Sequence, residues 1–217
     1  MIPFDCQVRI GSPNLLSRED LTLVVLHLQS AGWNRANEVF AELSPMKNEE
    51  YLNGCLFQGM VDARNTFRLY NLFVVEKPSV RSVHARATSD KVPDLGVYFV
   101  GFSDNYPHAL IECKRLDLSD VTRAPRREYV RNGMDRFVDG SYGREHELDF
   151  MVAYVIDGDI TAAMTDINFY LANVGRVEES LHLETRFSGT GSVARSEHVR
   201  SATDSRCILL HSFLRLR

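Results

Sequence analysis

Along the first third of the chain, apolar residues recur at three- and four-residue intervals, the spacing of one face of a helix. Ser17 and Asp20 form a start signal ahead of the apolar run Leu21 to Leu28, and Gly32 follows as a stop, which predicts a first helix; a short second one is expected over Asn34 to Leu43. Ser44-Pro45 supplies a cap and first turn, and Leu52, Leu56, Met60 and Ala63 share one helical face, so a third helix is predicted from about Met46 to Arg64.

After this point the pattern shortens. Arg68 to Val75, Ser82 to Ala87, Leu95 to Val100 and His108 to Leu116 are rich in aliphatic and aromatic residues and read as strands, with turn chemistry in Phe102-Ser-Asp-Asn-Tyr-Pro107. A basic helix is expected over Arg126 to Val138, ending near Gly140, then a buried strand over Phe150 to Ile156 and a helix over Ile160 to Val174 stopped at Gly175. Leu181 to Phe187 and Cys207 to Leu216 read as two further strands around a polar loop containing Gly189-Thr-Gly191-Ser. The order of elements predicts an α/β fold.

The chain has 217 residues and 44% hydrophobic content, enough for one domain with a substantial core. Its formal charge of −4 excludes a polybasic binder, so any contact with nucleic acid must be a local patch. Cys6, Cys55, Cys113 and Cys207 have neither zinc-ribbon spacing nor the pattern of a disulfide framework. The N-terminus lacks a secretory pattern and no stretch has the length of an apolar membrane span, so a cytoplasmic protein with no membrane partner is expected.

The segment Ala109-Leu-Ile-Glu-Cys-Lys-Arg carries the candidate chemistry. Alternation along a strand turns Leu110, Glu112 and Lys114 to one face and Ala109, Ile111 and Cys113 to the other. Asp94 precedes Glu112 by 18 residues, a separation suited to neighbouring strands joined by a short turn, so the two carboxylates can meet at one cation. Magnesium takes oxygen ligands and keeps several waters, and Asp94, Glu112 and the carbonyl of Cys113 suit it, with Mn²⁺ as a substitute. A solvated pair on an edge strand is the competing reading, but the apolar residues around Glu112 argue for a strand covered on both faces.

Pro93-Asp94 and Glu112-Cys113-Lys114 resemble the signature of the PD-(D/E)XK nucleases, to which the restriction endonucleases belong. The resemblance spans about 46–174 and implies a restriction-endonuclease-like three-layer core, a central mixed β-sheet flanked by helices. Residues 1–43 become an N-terminal helical extension and 177–217 a C-terminal β extension. It implies that Asp94 and Glu112 bind metal, that Lys114 assists catalysis, and that an acid on the preceding helix completes the set. Glu49 shares a stripe with Leu52, Asn53 and Leu56 and is the choice; Glu50, rotated about 100° away, is held in reserve.

The stretch after Lys114 is locally basic, with Arg115, Arg123, Arg126, Arg127, Arg131 and Arg136. Arg115, Arg127, Tyr129, Arg131 and Arg136 are the expected nucleic-acid contacts. The function expected from the resemblance is a metal-dependent endodeoxyribonuclease. With no DNA-reading module in the chain, it would suit the effector of a bacterial defence system directed by a targeting or ATPase subunit, or a homodimer where both strands are cut. The alternatives are a nuclease for RNA or branched DNA, and a catalytically silent binding or assembly module of the same fold. The histidines lack ligand spacing and the glycine-rich loop lacks a phosphate-binding lysine, so neither points to a second site; His198 and His211 are read as polar core or surface residues. Trp33 is expected to anchor the packing of the two helices beside it.

Overall fold

A computed structural model describes residues 18–40, 48–80, 91–100, 107–120, 124–142, 147–156, 159–200 and 203–216. The N-terminal region differs from the expectation of two helices. α1, Arg18–Phe40, runs straight through Gly32, and α2, Glu49–Thr66, crosses it. A Cβ on Gly32 would lie 2.6 Å from the backbone nitrogen of Met60, and one on Gly59 would lie 2.2 Å from the carbonyl oxygen of Gly32. Gly32 is therefore a contact at which two backbones touch, and the helix continues past it. Trp33 is buried, but it anchors α1 to the sheet: its ring packs 5.0 Å from that of Tyr154 and its Nε1–H donates to the carbonyl of Arg215 at 2.9 Å.

α2 begins at Glu49 under an Asn48 cap, whose side-chain oxygen accepts from the backbone N–H of Tyr51 at 2.8 Å. Ser44 and Pro45 lie outside the described residues. Leu52, Leu56, Met60 and Ala63 form the buried face, as their spacing predicts.

Seven strands make one mixed sheet: β1 Leu72–Glu76, β2 Leu95–Phe99, β3 Ala109–Leu116, β4 Leu148–Val155, β5 His182–Leu183, β6 Ser192–Val199 and β7 Arg206–Arg215. Their order is β1-β2-β3-β4-β7-β6-β5, parallel at β3–β4 and β4–β7 and antiparallel elsewhere. Parallel neighbours need long crossovers, and helices supply them. The first crossover runs as α3 Pro125–Tyr129, a π-helical turn Val130–Met134 and α4 Asp135–Val138; the second contains α5 Ile160–Asn173. The expected strand Ser82 to Ala87 lies outside the described residues. The one expected over Leu181 to Phe187 shrinks to β5, and Thr185–Thr190 forms 3-10 turns where a glycine loop was expected.

Alternation along β3 divides the core. Ala109, Ile111 and Cys113 join the apolar layer under α1 and α2, while Leu110 and Leu116 join the layer under α3, the π turn and α5. The fold is α/β, a seven-stranded mixed sheet flanked by helices, and among the described residues no helix is long and apolar enough to cross a membrane.

Candidate functional site

Glu112 and Lys114 stand on one face of β3, Glu112 between the apolar Ile111 and Cys113, and Glu112 has no exposed surface. An isolated carboxylate there would be far too costly, so the fold must supply partners. β2 and β3 pair with Leu95 opposite Ile111, and the same register brings Asp94, one residue before β2, across from Glu112. Asp94 is fixed by accepting the backbone N–H of Cys113 on Oδ2 at 2.8 Å.

Lysine closes the cluster from the other direction. Lys114 Nζ lies 2.9 Å from Glu112 Oε1 and 2.8 Å from Glu49 Oε1, and it donates to the Cys113 carbonyl at 2.8 Å. Glu49 accepts the backbone N–H of Arg115 on its second oxygen at 3.1 Å, so the first residue of α2 is tied to the strand by both carboxylate oxygens. Glu50 is exposed, and of the two acids Glu49 is the one that contacts Lys114.

The helical layer adds two residues that the sequence pattern did not single out together. Arg136 Nη1 donates to Glu112 Oε1 at 2.6 Å and to the Tyr142 hydroxyl at 2.7 Å; that hydroxyl lies 3.0 Å from Glu112 Oε2. The approach is close because the helix carries glycine where it crosses the strand: a Cβ on Gly133 would meet Met151 Cε at 2.6 Å and Lys114 Cγ at 3.3 Å. Gly133 lies in the π turn, and such turns inside helices mark functional sites often. Tyr142 is the site residue missed by sequence reasoning. It follows the left-handed Gly140 at the helix end, where no periodic pattern exists to reveal it.

Burial pushes the Glu112 carboxyl up to about 7, with Asp94 adding to the rise and Lys114 and Arg136 opposing it. Asp94 is raised as well, first by burial, with the charge of Glu49 in the same direction. Burial alone would pull Lys114 down, but Glu112, Glu49 and Asp94 outweigh it and hold the amine protonated more firmly than usual. Three carboxylates thus surround two cationic side chains in a water-poor space.

The expected row of nucleic-acid contacts does not form one surface. Tyr129 is completely buried and hydrogen-bonds His211 Nδ1 at 2.8 Å, so it is withdrawn from the phosphate contacts. Arg115 is paired with Asp117, and Arg131 lies 3.4 Å from both Asp135 and the Tyr170 hydroxyl. Arg127 is exposed on α3, and Arg123 lies outside the described residues. Of the five expected contacts, Arg136 is the one whose side chain bonds a site carboxylate; Arg115 reaches Glu49 through its backbone N–H alone.

A second buried polar chain lies across the same face. Tyr129 bonds His211, whose Nε2 lies 2.8 Å from Ser196 Oγ; Ser196 is 2.7 Å from His198 Nε2, and His198 Nδ1 meets Glu179. Both ring nitrogens of each histidine are engaged, as the reading of polar core residues requires.

Among the described residues no group of three or more His, Cys, Asp or Glu side chains is placed as a ready-made metal cage. Comparison with protein-family models, with curated proteins and with solved structures finds no match to this chain.

Proposed function

We propose that the chain is a metal-dependent phosphodiesterase acting on nucleic acid, with Asp94, Glu112, Lys114 and Glu49 as its catalytic centre. The single observation that carries this reading is the convergence of those four side chains, from two strands and a helix, in a buried cluster whose carboxylates outnumber its cations. The donor chemistry fits a hard divalent ion: all candidate ligands are oxygens, and Mg²⁺ is commonly held by one or two carboxylates together with waters and substrate phosphate. Asp94 and Glu112, both with raised proton affinity, are the pair that a cation would relieve, with the Cys113 carbonyl beside them.

Bound there, Mg²⁺ or Mn²⁺ would polarise a phosphoryl oxygen and acidify a water. The protein's own contribution is positional. Glu49 and Glu112 fix Lys114 from two sides, so its ammonium stays charged and aimed at the cluster, where it can hold an attacking water or neutralise charge growing on phosphorus. Packing of Gly133 against the lysine stem shuts the inner side of the cluster, so a substrate must enter from the side of Glu49 and Arg136, whose side chains are 38% and 29% exposed.

The test is plasmid nicking by the purified chain in Mg²⁺, in Mn²⁺ and in chelator, beside single-stranded DNA, RNA and junction substrates. Cleavage that needs the ion and falls on the order of a thousandfold in Lys114→Ala and Glu112→Ala, in variants shown to be folded at the assay temperature, is the expected result. The substrate panel separates a DNA enzyme of the expected kind from one for RNA or branched DNA. Action within a bacterial defence system, with a targeting or ATPase subunit or as a homodimer, is an extension of this reading.

A second reading has its own observation. Glu112 is contacted by Lys114, Arg136 and Tyr142 together, a closed ion network that a silent binding module of this architecture could retain for structure alone. A wild-type protein inert on every substrate with either ion decides for it.

A further inference from the structure

The Glu112 carboxylate receives more positive charge than a metal ligand can keep. Oε1 is approached by Lys114 at 2.9 Å and by Arg136 at 2.6 Å, and Oε2 by the Tyr142 hydroxyl at 3.0 Å. A divalent ion bonds carboxylate oxygen at about 2.1 Å, so on Oε1 it competes with two cations already in contact. For the ion to bind through Oε1, one of them has to leave.

The three partners differ in how firmly they are held. Lys114 has a 9% exposed side chain and three acceptors on three groups, Glu112, Glu49 and the Cys113 carbonyl. Tyr142 is fully buried. Arg136 is the loosest: its side chain is 29% exposed, and both of its hydrogen bonds, to Glu112 and to Tyr142, leave from the same nitrogen. Nε and Nη2 hydrogen-bond none of the described residues.

Resting on the phosphodiesterase reading, we propose that Arg136 is a stand-in cation. It occupies the Glu112 oxygen while no divalent ion is present, and it is handed over to a substrate phosphate when the ion takes its place. No covalent step is involved; one carboxylate exchanges a guanidinium for a metal ion, and the guanidinium exchanges a carboxylate for a phosphate. The guanidinium suits both ends of the exchange, since its planar array of donors matches carboxylate and phosphate alike. Arg136 lies two residues past the π turn, near the C-terminal end of the continuous helical run Pro125–Val138, with its side chain partly open to solvent.

The exchange gives opposite signs for two measurements on one variant. Mn²⁺ is titrated calorimetrically into the full chain without nucleic acid, and cleavage is measured at saturating Mn²⁺. Arg136→Gln is expected to bind Mn²⁺ at least threefold more tightly, because its competitor is gone, and to cleave with at least tenfold lower kcat/KM, because a phosphate contact is gone. Arg136→Lys, which keeps the charge but not the double contact with Glu112 and Tyr142, moves the same way by a smaller factor and serves if the glutamine variant does not fold. Unchanged or weaker Mn²⁺ binding in the folded variants overturns the exchange, since Arg136 would then only orient Glu112 for the ion. If wild type itself takes up no Mn²⁺, the phosphodiesterase reading falls too, so the two failures are told apart by the wild-type titration.

Discussion

Two buried polar clusters share one face of the sheet, and they are built on opposite principles. Pairing places Glu112 of β3, Met151 of β4 and His211 of β7 in one row, so in that row an apolar side chain separates the clusters. The helical segment over that row ties them together: Tyr129, at its start, reaches His211, and Arg136, near its end, reaches Glu112. The cluster at His211 is a chain of hydroxyls and imidazoles ending on Glu179, which Arg176 also holds at 2.6 Å; each donor finds an acceptor and the one carboxylate in it is paired. The cluster at Glu112 consists of formal charges, holds more acids than bases, and opens to solvent through Glu49 and Arg136. Burial of polar groups is common to both. Uncompensated charge with access from outside belongs to the second alone, and it is this combination that marks a site able to recruit something.

The sharpest way to break the comparison is pH, because the two clusters respond with opposite signs. Glu112 is raised from 4.5 to about 7, so in the ion-free protein its contribution to stability is complete below pH 4.5 and is lost as pH rises through 7; Asp94 acts in the same direction. For Glu179 burial pushes upward, but the bonds from His198 and Arg176 overcome it and hold the carboxyl at about 2, so its contribution is present above pH 4.5 and is lost as pH falls towards 2. For Glu112 this amounts to about 3 kcal/mol, and for Glu179, which solvent partly screens, to less. Urea unfolding in chelator should therefore give a maximum in the mildly acid range with a decline on both sides, and Mg²⁺ should remove the decline on the alkaline side. A stability that climbs steadily from pH 4.5 to 8 without metal contradicts the excess of buried acid.

The next effect in size concerns the His211 cluster alone. His211→Leu leaves the Tyr129 hydroxyl buried without its partner, which costs about 2 kcal/mol. Tyr129→Phe in the same chain removes the stranded group and should recover much of the loss, as seen in thermal melts of the single and double variants. Additive losses would mean that the two residues act independently.

How far the sequence discloses each cluster follows from the kind of pattern that carries it. The acids were legible because β3 alternates and is covered on both faces, which makes Glu112 and Lys114 conspicuous, and because Asp94 precedes a strand of matching register. Glu49 was separable from Glu50 by helical phase alone. Tyr142 was not legible, since a turn has no period. β6 was missed because its inward face carries Ala194, Ser196 and His198, so the polar chain erases the apolar alternation that announces a strand. Gly32 was read as a stop because a glycine that ends a helix and one that lets another helix touch it look identical until Gly59 is brought against it. Nor does any local signal disclose the π turn that presents Gly133 to the lysine.

The smallest expected effect sharpens the comparison from the side of the open cluster. Asp94→Asn keeps an oxygen to accept the Cys113 N–H but removes a charge whose protonation burial already favours. The ion-free variant at pH 8 should be more stable than wild type by about 1 kcal/mol, read as a higher urea midpoint, while ion-dependent cleavage is lost. Gain of stability with loss of activity is the behaviour of a charge kept for a ligand, whereas any charge-neutralising change in a structural network such as Glu179–His198 should only destabilise. An Asp94→Asn variant less stable than wild type by a similar amount would place the two clusters in the same class.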